Sequence, residues 1–421
     1  MAVVPYDLAM NEVQVTMSQQ LAEPTRPWRL IDLAAVFLVF TLPLPTAWGS
    51  IAVVLLLLAW PWSGKWTEQF QRWKAVPAAM WATALLLMFI IGGSYSAGTQ
   101  HGVINFMTKY AKLLLLPLLV MTMSNERWRQ RAIHAFLVGA VLAAVLSYAC
   151  LLRWVPTRCQ QSMVQGTIHF GTIMAFAAYF FARKAFASKR WAWLWILTSA
   201  CIAFDVLYAN RARTGYVILF ALIVLLAWQR FGWRGMMVGA LASSLLAAVA
   251  FTTSPVAKRR LDEAISNVHA YAQRQHPHEG MLTGNSMGLR LQFWQNTLAL
   301  IAKHPLFGTG TGSLHQDYKK LVAGTDTLVA VNPHNEYLGT MAQLGIVGLT
   351  LLLGMGASAW RQGLKLPSVD RDAVQAVIAA VAIGSLFNSL LLDVNEGRFF
   401  VVMLGLLLAG VADQARVALH S

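Results

Sequence analysis

Residues 30–63 read LIDLAAVFLVFTLPLPTAWGSIAVVLLLLAWPWS, with Asp32 as the single charged residue. A membrane-spanning helix needs about 20 predominantly apolar residues, so this run is too long for one span. Pro43, Pro45 and Gly49 interrupt it near the middle. Proline removes a backbone donor and clashes with the preceding turn. The stretch therefore reads as two helices, 30–48 and 50–63, in preference to one span followed by a re-entrant piece.

The same reading extends outward along all 421 residues, of which 57% are hydrophobic and 12% charged, with a mean hydropathy of +0.53. Ordinary soluble domains carry about 25% charged residues, and a soluble globule could not bury this much apolar surface. The fold class is all-α, a polytopic membrane protein. Twelve spans are predicted: the two above, then 76–97, 102–123, 132–153, 167–182, 191–209, 214–229, 235–252, 335–360, 373–392 and 398–413. Residues 1–28 lack a basic segment followed by a short apolar core, and read as a cytoplasmic tail. Residues 29–252 then hold spans one to nine, 253–333 a large loop, 334–413 the last three spans, and 414–421 a short cytoplasmic tail.

Charge gives the orientation. The net charge is +15, from 33 Lys and Arg against 18 Asp and Glu. In a soluble chain that excess would suggest nucleic acid; here it is topological, and no nucleic-acid partner is expected. One set of alternate loops holds fifteen basic residues: Lys65 to Lys74, Arg127 to Arg131, Arg183 to Arg190, Arg230 and Arg234, and Arg361 to Arg371. The short loops of the other set hold five: Arg153, Arg158, Arg211, Arg213 and Arg398. Basic residues collect on the cytoplasmic side, so both termini are expected inside and 253–333 outside. The three cysteines, Cys150, Cys159 and Cys201, have no metal-binding or disulfide spacing.

A loop of this length carries function or forms a small domain. Within it, 257–274 places Leu261, Ile265, Val268 and Ala272 at helical spacing, with Arg259, Arg260, Asp262 and Glu263 between them. This predicts an amphipathic helix, lying either on the membrane surface or against its own loop. Helical patterns follow at 287–303, up to His304-Pro305, and at Leu314–Val322. Between these two, Gly308–Ser313 lacks the Gly-Lys-Ser/Thr ending of a phosphate loop and reads as a turn.

Candidate chemistry clusters on the outer side. Arg211 and Arg213 share one short external loop against the charge bias; they either snorkel to lipid phosphates or grip an anionic ligand bidentately. Lys109 and Lys112 sit in the outer third of the fourth span, where a charge is expensive and tends to face a cavity or a partner. Arg290 opens an otherwise apolar helix. His169 reads as a satisfied core or interface histidine. Six of the ten histidines fall in 253–334, but His276-Pro277-His278 is too close and too bent for helical ligation, and no metal site is expected. His334, in Asn332-Pro333-His334-Asn335-Glu336-Tyr337, follows a proline expected to start a helix. That places a neutral imidazole near a helix N-terminus, suited to a general base, or else to an interfacial cap.

The order of these motifs resembles the O-antigen ligase family. The carriers are Arg211-Ala212-Arg213-Thr214-Gly215, Gly288-Leu289-Arg290-Leu291-Gln292-Phe293-Trp294, His304-Pro305-Leu306-Phe307-Gly308-Thr309-Gly310 and Pro333-His334-Asn335-Glu336-Tyr337-Leu338. The twelve-span plan and the large loop belong to the same resemblance. It implies a C-type, metal-independent, inverting glycosyltransferase of the bacterial inner membrane, without cofactor and working on the periplasmic side. The donor would be O-antigen on undecaprenyl pyrophosphate, and the acceptor a hydroxyl of lipid A–core oligosaccharide, both within reach of membrane lipids. Arg213 and Arg290 would stabilise the leaving pyrophosphate, His334 would act on the acceptor hydroxyl, and Arg211, Lys109, Lys112 and Asn335 are candidates for holding substrate. An O-antigen polymerase or a related glycan or protein ligase is the alternative within this chemistry. A transporter or flippase of an anionic lipid-linked substrate is the alternative outside it; the missing repeat between halves and the charges at the outer face argue against that.

Overall fold

Helices follow the apolar runs and stop where proline, glycine or polar clusters interrupt them. The computed structural model describes residues 30–155, 168–210, 212–272, 286–325 and 327–420. The N-terminal tail, Cys159, Arg211, His276 and His278 lie outside the described residues. In chain order the helices are α1 (Leu30–Thr41), α2 (Thr46–Ala59), α3 (Trp66–Ala75), α4 (Pro77–Ser94), α5 (Gln100–Tyr110), α6 (Leu115–Thr122), α7 (Glu126–Leu151), α8 (Ile168–Ala187) and α9 (Ala192–Phe204). There follow α10 (Arg213–Thr253), α11 (Pro255–Ala272), α12 (Ser286–Lys303), α13 (Leu314–Leu321), α14 (Glu336–Gly363), α15 (Ser368–Gly384) and α16 (Val394–His420).

A helix lies at each of the twelve predicted places, but the spans are less uniform than expected. Among the described residues, seven helices are long and apolar enough to cross a membrane, or up to eight if the pair Thr46–Trp62 and Trp66–Ala75, bent by 119°, counts as one. The first predicted span shortens to the 12 residues of α1, about 18 Å at 1.5 Å per residue. The Pro43–Pro45 segment stops it, as those prolines require. The fourth is α5 and α6 joined by a 3-10 turn, Ala111–Leu114. The predicted eleventh span, 373–392, is corrected: α15 ends at Gly384, and 385–393 is an irregular turn. Its apolar residues Leu390, Leu391 and Leu392 are buried in the protein, and hydropathy alone cannot tell that burial from lipid contact.

The 41-residue α10 holds two spans in one helical run. At Gly232 the backbone turns to φ 63°, ψ −148°, a left-handed value that glycine adopts without steric cost. The arms fold back on each other: Ser243 donates to the Phe220 carbonyl at 3.1 Å, and a Cβ on Gly239 or Gly235 would meet Ala227. The second arm returns to the level where the first began, with Tyr208 and Thr253 hydroxyls 2.6 Å apart. Residue 254 therefore leaves the bundle at the same end as Arg213.

The centre of the bundle is α16, whose apolar window is 83% buried, against 22% for α10 at the periphery. Its Phe399 stacks edge-on against Phe176, and Gly405 lets it approach the Leu116 carbonyl of α6. The two sets of alternate loops lie at opposite ends. At one end Arg72 reaches the carbonyls of Val120, Met123 and Ala409 and, with Arg129, pairs with Asp413. Arg183 pairs with Asp372 at 2.6 Å, both almost fully buried, and Arg230 covers the Phe186 ring. The fifteen basic residues share this end. The opposite end carries the site.

Candidate active site

The irregular turn 385–393, of which 385–392 was expected to be membrane helix, is the point on which the site is assembled. The Glu336 N–H donates to the Ser385 carbonyl at 3.0 Å. The Glu336 carboxylate, 2% exposed, accepts from the N–H groups of Leu391 and Leu392 at 2.9 and 3.1 Å and from the Tyr110 hydroxyl at 2.8 Å. Lys112 donates to the carbonyls of Leu392 and Asp393. Asn335 caps α14, accepting from the Leu338 N–H at 3.0 Å, and its amide donates to the Leu386 carbonyl at 3.0 Å. Buried polar groups need such partners, and here each partner also fixes the turn.

His334 stands two residues before the first helical residue, at φ 53°. Pro333 does not start the helix; Asn335 is the cap. The start of the helix thus moves from Pro333 to Glu336, and His334 remains beside the helix N-terminus. Burial, and then the neighbouring Arg290 charge, hold its pKa below the usual histidine value, since both disfavour a second cation. The left-handed backbone is fixed from both sides. The His334 N–H donates to the Asn332 side-chain oxygen at 2.9 Å, which also accepts from the Ser389 hydroxyl at 2.6 Å. The Trp294 indole donates to the Pro333 carbonyl at 2.9 Å.

Arg290 comes from α12 and donates to the Asn388 side-chain oxygen at 3.1 Å. The Asn388 amide donates in turn to the Thr214 hydroxyl at 2.6 Å, next to Arg213 at the start of α10. The pKa of Arg290 is lowered by burial and then by the Arg213 charge. Arg213 ends on Glu263 of α11 at 3.2 Å. Arg213, Arg290 and His334, from three separate segments, thus meet at one end of the bundle.

The other named residues divide. Lys112 and Asn335 are built into the turn that carries Asn388. Lys109 is half-buried, its ammonium 5.8 Å from the Phe106 ring centroid. Arg211 is outside the described residues. Four residues of the site were not singled out from the sequence: Asn388, Glu263, Arg260 and Glu336. The polar pair Asn388-Ser389 inside an apolar run was the one local signal for the first; Glu263 and Glu336 are joined to the site by contacts distant in sequence, and Arg260 through Glu263 one helical turn away.

The glycine turn is structural. Gly308, Gly310 and Gly312 all have positive φ, and the turn wedges between α4 and a break in α14 at Gly345. Thr309 and Gly310 N–H groups donate to the carbonyls of Ala342 and Gln343, Thr311 to Gly92, and Gly312 to the Gln343 side chain. With these donors spent inside the protein, the turn cannot cradle a phosphate. Of the described histidines in the loop, His269, His304 and His315 are exposed, and among the described residues no three His, Cys, Asp or Glu side chains converge as a metal site would need.

Comparison with known proteins bears on the same stretch. The profile of a family described as O-antigen ligase matches residues 197–353. A curated relative, an uncharacterized protein of Haemophilus influenzae, is 25% identical over 183 residues, 42% of this chain and 43% of the relative. The chain thus spans less than half the length of that relative. The matched stretch of this chain contains Arg213, Arg290 and His334 together with Glu263 and Glu336. Over residues 197–353, from the helix before Arg213 to the helix after His334, the chain is similar to the O-antigen ligase family.

Proposed function

We propose that the protein is an inverting, metal-independent glycosyltransferase that moves O-antigen from undecaprenyl pyrophosphate to a hydroxyl of lipid A–core oligosaccharide. It would work on the periplasmic face of the bacterial inner membrane, with the fifteen-cation end in the cytoplasm. The observation that carries this reading is the meeting of two guanidinium groups and a histidine held neutral, assembled around Asn388. As the acceptor oxygen bonds to the anomeric carbon, the bond to the pyrophosphate oxygen breaks and its electron pair leaves with the phosphate. Arg213 and Arg290 lie where that charge grows, and preorganised donors there lower the barrier. The acceptor proton passes to His334, which can take it because the ring starts neutral. A single displacement inverts the anomeric centre and needs no protein nucleophile.

The deciding experiment is deletion of the gene and electrophoresis of the lipopolysaccharide. The expected result is rough lipopolysaccharide with accumulated long lipid-linked polymer, restored by the wild-type chain. Core bearing one repeat unit would identify a polymerase, and unaltered lipopolysaccharide would remove the reading altogether.

A further inference from the structure

The Glu263 carboxylate is held by three guanidinium groups. Arg259 donates to one oxygen at 3.0 Å, and Arg260 and Arg213 to the other at 2.9 and 3.2 Å. Both oxygens are therefore used, and three positive charges face one negative. That is the coordination a phosphate group would receive. The contact is also poorly anchored. Among the described side chains of α11, Ala257 alone is buried. Leu261, Ile265 and Val268, on the face opposite Glu263, are exposed. Glu263 and Arg213 are themselves about a third and a quarter exposed, and ion pairs so open to solvent hold a helix weakly. Arg290, whose pKa feels Arg213, extends the positive field inward.

We propose that Glu263 is a stand-in anion that occupies the pyrophosphate position of the empty enzyme, and that Arg260 is a further ligand of the donor's pyrophosphate. The inference rests on the function proposed above and names the residues that exchange at that site. A pyrophosphate diester carries two negative charges and more acceptor oxygens than a carboxylate, so it displaces Glu263 from Arg213 and Arg260. Glu263 then swings away with the weakly anchored α11. While the site is empty, the carboxylate keeps the guanidinium groups gathered and blocks other anions.

The test is binding of undecaprenyl pyrophosphate to the full-length protein in detergent, followed by thermophoresis. Glu263→Gln removes the competing charge at almost the same size; binding should tighten several-fold, up to about tenfold. Arg260→Ala should weaken binding about tenfold or more in the wild-type background. It should also do so in the Glu263→Gln background, where it can no longer act through Glu263. If Glu263 merely holds Arg213 in place, Glu263→Gln will bind no tighter than wild type, and the proposal is overturned. Unchanged binding in Arg260→Ala overturns it equally. Failure of the underlying reading looks different: Arg213→Ala and Arg290→Ala would then both bind undecaprenyl pyrophosphate as wild type does.

Discussion

Asn388 gives the most direct test of how the site is held. Its side chain is fully buried and joins Arg290 on one side to Thr214 on the other. Asn388→Ala removes a hydrogen bond to a charged group, about 1.5–3 kcal/mol. If that energy keeps Arg290 in the position required at the transition state, transfer slows about 10- to 100-fold, since 1.36 kcal/mol is a factor of ten. Asn388→Asp separates positioning from simple support. The carboxylate is isosteric, accepts from Arg290 in the same way, and accepts from the Thr214 hydroxyl, so the turn survives. It also neutralises the guanidinium that should meet pyrophosphate. The expected outcome is a rate at least as low as that of Asn388→Ala with a raised KM for the donor, while folding by size exclusion is normal. The assay is single-turnover transfer from a lipid-linked glycan to purified lipid A–core in detergent. Wild-type rates in Asn388→Asp would refute the argument, because they would mean that the uncompensated charge of Arg290 does not matter.

In the same assay His334→Asn should lose about 100- to 10,000-fold; asparagine tolerates the left-handed backbone of this position, so unaltered activity would remove His334 from proton transfer. Because the folded pKa of His334 lies below its ordinary 6.5, the wild-type rate should stay level down to about that pH and fall as the ring protonates below it. A fall that begins above pH 7 would contradict the burial argument. Arg213→Lys and Arg290→Lys should each leave transfer about 100- to 1,000-fold down, since an ammonium cannot form the bidentate fork; near-normal turnover would show that net charge suffices. Treatment with EDTA should leave transfer intact, and a loss restored by a divalent ion would overturn the role given to the arginines. At the far end of the bundle, Asp372→Asn should cost about 3–5 kcal/mol by leaving Arg183 buried without its partner, read as a drop in Tm; an unchanged Tm would show that water reaches this pair.

The sequence by itself determined the class of fold, because lipid permits only a few backbone solutions and apolar runs of helical length satisfy one of them. It also determined the breaks at Pro43 and Pro45 and the alternation of charge between the two ends, and it marked Arg213, Arg290 and His334 as candidates, since they stand in short motifs that can be read locally. It could not distinguish an apolar segment that faces lipid from one buried in protein, so 385–392 reads as helix when Ser385, Asn388 and Ser389 are spent on partners in α12, α14, α10 and the turn before α14. Nor could it show that α10 folds back at Gly232, that Lys112 and Asn335 hold a turn, or that Glu263 sits among three guanidinium groups. These depend on hydrogen bonds and ion pairs between residues distant in the chain. Such pairs leave no periodicity in the sequence, and only the packed bundle brings their members within bonding distance.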